Sequence, residues 1–198
     1  MYDYIRGALV ELNPADVTIE AGGIGYHILI SLTTYSSLQK SGKESVKLYL
    51  HQHLREDEEL LFGFFDKEER IMFRHLISVS GIGPGTARMM LSSMTPDEVF
   101  NAIVTQDVNR IKSVKGIGVK TAQRVILELQ DKISKGASAA GFPFDGGGAS
   151  SALRQEAATA LMLLGFTKPN VEEALDKLLK ENPSVTLEEL IKKALKLL

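Results

Sequence analysis

The sequence predicts a multidomain α+β protein: a small closed five-stranded barrel, then an all-α segment, then a three-helix bundle on a linker. Three observations carry that expectation. Residues 4–65 read as short strand-like runs, rich in β-branched residues and in places strictly alternating, set between turn signals. A nine-residue phrase occurs twice, as Val79-Ser80-Gly81-Ile82-Gly83-Pro84-Gly85-Thr86-Ala87 and, 35 residues later, as Val114-Lys115-Gly116-Ile117-Gly118-Val119-Lys120-Thr121-Ala122, each copy flanked by apolar runs of helical spacing. From Ser134 to Ser151 the composition shifts to Gly, Ala and Ser, and helix-start signals return after it. The expected boundaries are 1–64, 65–135, a flexible linker over 136–151, and 152–198.

With 198 residues, 44% of them hydrophobic, the chain can bury a real core but suits several small domains better than one large one. It contains no cysteine, so disulfides and thiolate metal sites are excluded. The opening Met1-Tyr2-Asp3-Tyr4-Ile5-Arg6 has no apolar signal core and no run reaches membrane-spanning length, so a cytoplasmic protein without membrane contact is expected. The net charge of −2 is unevenly spread: Lys+Arg against Asp+Glu stands at 5 to 9 over residues 1–64, 11 to 8 over 65–135 and 7 to 8 over 136–198. Only the middle, where the repeated phrase lies, is basic.

In the first segment, strands are expected over Tyr4–Glu11, Val17–Ala21, Ile24–Ile30, Val46–Leu54 and Leu60–Phe65, with a short helix over Thr33–Leu38. That order suggests a barrel of the OB type, commonly a nucleic-acid platform. Between the last two strands, Arg55-Glu56-Asp57-Glu58-Glu59 places four carboxylates at a hairpin tip; without them the segment balances at 5 against 5. Solvated loop charge is one account of them. The other is a negative prong that repels phosphates at one defined place. His51 and His53 share a strand face but lack a third ligand, and no metal site is expected.

The middle segment opens near Asp66 with a helix carrying Ile71, Phe73, Leu76 and Ile77. In each copy of the phrase, two glycines around one isoleucine suit a tight turn with positive φ on both sides and an apolar plug between two helices. Backbone N–H groups are then left at the positive end of the second helix, a natural seat for a phosphate oxygen. An ordinary hairpin closed by a glycine cap would explain one copy; two in register are similar to the helix-hairpin-helix module, which grips the DNA backbone without reading sequence. Thr95-Pro96-Asp97-Glu98 and Asp107 start two further helices before the second turn, an arrangement expected to present both turns on one side. Lys112, Lys115, Lys120, Arg124 and Lys132 crowd the second copy, whereas the first has only Arg88 and Arg74 nearby.

The tail should hold helices over Ala152–Leu164, from Thr167-Lys168-Pro169, and from Thr186-Leu187-Glu188-Glu189, the last with a capping box. Leu164-Gly165-Phe166 resembles the loop of ubiquitin-associated-type bundles, which dock other proteins.

Barrel, acidic prong, twin hairpins, linker and three-helix tail, in that order, resemble the RuvA family, and the resemblance spans nearly the whole chain. It implies a subunit, without catalytic site or cofactor of its own, that recognises four-way (Holliday) junction DNA as a homotetramer or as an octamer of two tetramers. It further implies that the tail engages the hexameric RuvB ATPase and that the RuvC resolvase acts on the same complex, in recombination and repair. Carried onto this sequence, the acidic pin is Glu56 and Asp57; the first hairpin's DNA contacts are Ser80, Gly81, Gly83, Gly85, Thr86 and Arg88; the second's are Lys115, Gly116, Gly118, Lys120, Thr121 and Arg124. Gly85 and Val119 stand where lysines are expected from relatives, which shifts the grip toward backbone donors.

Enzymatic readings fit less well. Gly116-Ile117-Gly118-Val119-Lys120-Thr121 glances at a P-loop but lacks its glycine spacing and its buried strand. A hairpin-type glycosylase or nuclease needs a catalytic Asp or Lys beyond the turn, where Val125–Leu129 simply continues as helix. Four consecutive carboxylates on one turn do not easily form an octahedral Mg²⁺ cage. A structure-nonspecific duplex-binding protein remains the plain alternative.

Overall fold

The computed structural model describes residues 2–42, 44–136, 149–182 and 185–198, which fold as two compact units, residues 1–133 and 134–198. The first unit begins with β1 (Tyr4–Leu12), β2 (Asp16–Ala21), β3 (Ile24–Ile30), α1 (Leu32–Lys40), β4 (Val46–Leu54) and β5 (Glu59–Phe64). The strands close into a barrel in the order β1-β2-β3-β5-β4. Closure depends on β1, whose Tyr4–Gly7 half pairs with β4 and whose Ala8–Leu12 half pairs with β2. A register shift between Leu9 and Glu11 bends the strand on its β2 side. Along β4, Val46, Leu48 and Leu50 are buried while Lys47, Tyr49 and His51 are only half-buried, as the alternation predicts. They join Ile5, Val17, Ile19, Ile28, Ile30 and Leu38 in the barrel core.

Helix α2 (Lys67–Ile77) seals the barrel. Its Phe73 ring lies 5.1 Å from Phe62, 4.8 Å from Phe64 and 5.3 Å from His51. The residues expected to carry this helix are only partly the ones that do: Phe73 and Leu76 are buried, Ile71 and Ile77 are half-buried, and Glu69, Arg70 and Met72 take the remaining inward places. The Glu69 carboxylate accepts from the hydroxyls of Ser31 and Thr34, the latter at 2.6 Å, and burial raises its pKa against the opposing pull of those bonds. Arg70 Nη1 donates to the Asp3 carboxylate at 2.6 Å, to the Asp3 carbonyl at 2.7 Å and to the Leu50 carbonyl at 3.3 Å. Barrel and helices thus share one buried seam.

The remaining helices of this unit are α3 (Pro84–Ser93), α4 (Pro96–Val104), α5 (Val108–Lys112) and α6 (Val119–Gly136). Thr95 and Glu98 form the expected capping box on α4, and Asp107 caps α5 by accepting from Arg110 N. The α6 ladder runs through Ser134, Lys135 and Gly136, because extending a formed helix is easy even for poor formers. In the second unit α7 (Ala149–Leu163) likewise starts before the expected Ala152. The expected linker is therefore helical at both ends, and residues 137–148 lie outside the described residues.

Helices α7, α8 (Lys168–Glu181) and α9 (Leu187–Ala194) form a three-helix bundle around Ala157, Leu161, Val171, Ala174, Leu175, Val185, Leu190 and Ala194. Gly165, at φ +100°, turns the chain after α7, and Leu163 and Leu164 beside it are 84% and 61% exposed. Thr186 caps α9 by accepting from Glu189 N at 3.4 Å.

Candidate nucleic-acid interface

The two copies of the repeated phrase fold into matching turns, turn 1 between α2 and α3 and turn 2 between α5 and α6. Ile82 N donates to Val79 O at 3.1 Å and Ile117 N to Val114 O at 3.1 Å. Ala87 N donates to Gly83 O at 2.9 Å and Ala122 N to Gly118 O at 2.9 Å. The plugging isoleucines Ile82 and Ile117 are buried, and the glycines around them are exposed.

One detail corrects the sequence reading: only the first glycine of each pair has positive φ, Gly81 at +92° and Gly116 at +90°. Gly83 sits at φ −86°, ψ 168° as the N-cap of α3, where extended backbone is the rule, and Gly118 has no positive φ either. Positive φ is needed once per turn, to reverse the chain; the second glycine then enters the helix. No neighbouring atom would meet a Cβ at Gly83, Gly85 or Gly118, so that face of each turn is open to an approaching backbone.

Each turn delivers the first N–H groups of a helix, which have no intrahelical acceptor, to the surface. Turn 1 offers Gly85 and Thr86, because Pro84 at the first helical position has no N–H. Turn 2 offers Val119, Lys120 and Thr121. With the helix dipole behind them, these groups favour an anionic oxygen.

The cations distribute unequally. Lys115 and Lys120 are exposed at turn 2. At turn 1, Ser80 is exposed and Thr86 half-buried, and Arg88 Nη1 donates to the Ala15 carbonyl at 2.9 Å, tying α3 to the loop between β1 and β2. Arg124, assigned to the second hairpin, reaches the first, with Nη1 3.4 Å from both Ser80 O and Ser80 Oγ. Lys132, further along α6, donates to Ser78 Oγ at 2.7 Å at the C-terminal cap of α2. These reaches lay α6 across the first turn, and no local spacing announces them. The inward Glu69 was more legible, since Glu69, Phe73 and Leu76 fall on one face at i, i+4 and i+7.

The acidic tip is narrower than four adjacent carboxylates suggested. Arg55 N donates to Glu58 O at 2.8 Å to close the turn, while Glu59 opens β5 and accepts from Gln52 Nε2 at 2.6 Å. Glu56, Asp57 and Glu58 project, all three exposed, beside Leu54, which is 64% exposed. Of the paired histidines, His51 packs on Phe73 with burial lowering its pKa, and His53 Nε2 accepts from Arg55 Nε at 3.2 Å. No group of three potential metal ligands occurs among the described residues.

A closed five-stranded barrel, an exposed acidic tip and two equivalent glycine turns opening helices define a tandem helix-hairpin-helix protein built on an OB-type platform. The comparisons agree segment by segment: residues 1–63 match the RuvA N terminal domain, residues 73–131 the SAM-like helix-hairpin-helix tandem, and residues 152–198 the RuvA C-terminal domain. The chain is 52% identical to a Cytophaga hutchinsonii protein over 200 residues covering 100% of both chains, and 49% identical to a Bacteroides fragilis protein over 204 residues covering 99% of both. A Porphyromonas gingivalis protein is 42% identical over 207 residues, again covering 100% of each. All three carry the name Holliday junction branch migration complex subunit RuvA, and the chain belongs to the RuvA family.

Proposed function

We propose that this chain recognises four-way junction DNA without reading sequence, holds it open and square-planar, and couples it to a motor for branch migration in recombination and repair. The observation that carries the reading is the pair of equivalent turns, each aiming unpaired helix-start N–H groups outward from a basic segment. Ser80, Gly81, Gly83, Gly85 and Thr86 in one turn, and Lys115, Gly116, Gly118, Lys120 and Thr121 in the other, clasp phosphates. Glu56 and Asp57 repel the backbone where strands part. Relatives sharing every segment are named as branch migration subunits, which supports the same role here.

Four copies, or eight in two layers, assemble on the junction in the cytoplasm. Residues 152–198 engage the RuvB ATPase hexamer, RuvC resolves the same complex, and the chain itself needs no cofactor and performs no chemistry. Purified protein should bind a synthetic four-way junction far more tightly than linear duplex, with affinity falling steeply as salt rises, and should neither cut DNA nor hydrolyse ATP. Equal affinity for the two DNAs would leave only a structure-nonspecific duplex binder. Glu56→Lys with Asp57→Lys should strengthen binding to plain duplex by removing like-charge repulsion; a weaker duplex complex would refute the pin's electrostatic role.

A further inference from the structure

The repeat makes the two turns comparable position by position, and turn 1 proves empty of charge. Ser80 occupies the place of Lys115, Gly85 that of Lys120, and none of residues 79–87 is cationic. The nearest cation along the sequence, Arg88, is held on the Ala15 carbonyl. Yet a guanidinium does stand at turn 1, on the very residue that replaces the lysine: Arg124 Nη1 lies 3.4 Å from Ser80 O and Oγ.

Arg124 follows Gly118 by six residues, which puts it about 9 Å along the α6 axis from turn 2. Lys120, four residues earlier on the same helix face, stays at turn 2. A single helix therefore brings Lys120 to turn 2 and Arg124 to Ser80 of turn 1, with Lys132 further along at Ser78. The two bonds to Ser80 are long and hence weak, Arg124 is exposed, and only Nη1 is engaged, so the rest of the guanidinium fork is free for a second acceptor. A fork with spare donors is suited to phosphate, and more so than a lysine ammonium where two oxygens are offered.

Resting on the reading of both turns as phosphate grips, we infer that Arg124 is the phosphate-binding cation of turn 1, supplied by the helix of the second hairpin of the same chain. The second hairpin thereby completes the first. The two grips are not independent modules, and turn 1 reaches full strength only when α6 is docked across it.

The test uses the full chain on a synthetic four-way junction, with affinity, its salt slope and phosphate-ethylation interference as readouts. Arg124→Ala should weaken binding roughly tenfold and flatten the salt slope by about 0.9 for each phosphate no longer neutralised. Interference should vanish at the phosphates under turn 1 while persisting under turn 2. Adding Ser80→Lys to Arg124→Ala, which gives turn 1 the cation turn 2 already has, should restore affinity, slope and interference; adding Val119→Lys, the same charge at turn 2, should not restore the turn 1 interference. Arg124→Lys should retain most of the binding. Loss of interference at turn 2 in Arg124→Ala, or equal rescue by the two lysines, would overturn the assignment while leaving the grips intact. If removing Lys115 and Lys120 also left every phosphate unaffected, the phosphate-grip reading itself would fall.

Discussion

Turn 1 and turn 2 have nearly the same backbone and very different chemistry on it. In both, a positive-φ glycine reverses the chain, a buried isoleucine pins the reversal, and the helix that follows closes its first bond onto the second glycine's carbonyl at 2.9 Å. Around that shared frame, turn 2 has two lysines and three free N–H groups, whereas turn 1 has a serine, a proline and a glycine where those would stand. The difference teaches that shape and charge are separable here. Two glycines and an isoleucine suffice for the bend, and cations are added to it from its own stretch of sequence or from elsewhere.

The comparison breaks most visibly if charge at turn 2 proves dispensable. Lys115→Ala with Lys120→Ala should weaken junction binding about a hundredfold and flatten the salt slope by about 0.9 per phosphate released, because two charged hydrogen-bonding groups are removed. At turn 1, Ser80→Ala, the counterpart of Lys115→Ala, should stay within about threefold on the same assay, since only a neutral hydroxyl goes. A loss as large as that at turn 2 would mean that the turns differ in sequence alone.

Next come the glycines, where the two turns should behave alike. Gly81→Ala and Gly116→Ala each force a side chain into a φ near +90° with no neighbour to relieve or worsen it, and each should cost about 1–3 kcal/mol in urea unfolding. Unequal costs would show that the frames are not equivalent after all.

The smallest effect separates the helices that lead into the turns. Helix α2 carries the buried Glu69, whose pKa is raised chiefly by desolvation, while the buried residue of α5 is the apolar Ile111. A raised folded pKa means that the stability linked to Glu69 is fully present below the ordinary carboxyl value of 4.5 and is lost as pH rises through the folded value. Urea midpoints of the native chain should therefore decline over that rise, and those of Glu69→Gln should decline less. Parallel curves for the two proteins would remove Glu69 as a source of asymmetry.

Much of the barrel was readable because each strand's turn signals sit where its ladder stops. Ile24–Ile30 and Val46–Leu54 match residue for residue, the first two strands each gain a residue at one end, and the last is shifted by one residue at both ends. Both turns were equally plain, since a repeated glycine-isoleucine-glycine phrase has few other uses. What stayed hidden depends on contacts between distant residues. Sequence could not say which glycine of a pair would take positive φ, because that is settled by which one becomes the helix cap. Nor could it show that Arg88 faces Ala15, 73 positions away, or that Arg124 meets Ser80 at a separation of 44. The partners that let Glu69 and Arg70 be buried, Ser31, Thr34 and Asp3, likewise arrive from distant stretches of the sequence.

The Phe73 ring, lodged among Phe62, Phe64 and His51, has a mechanical consequence. It roots the helix leading into turn 1 on the same two strands whose far connection bears Glu56 and Asp57. If turn 1 grips DNA and the acidic tip parts it, as proposed, jaw and wedge are rooted in one aromatic-packed block, like the two faces of a caliper.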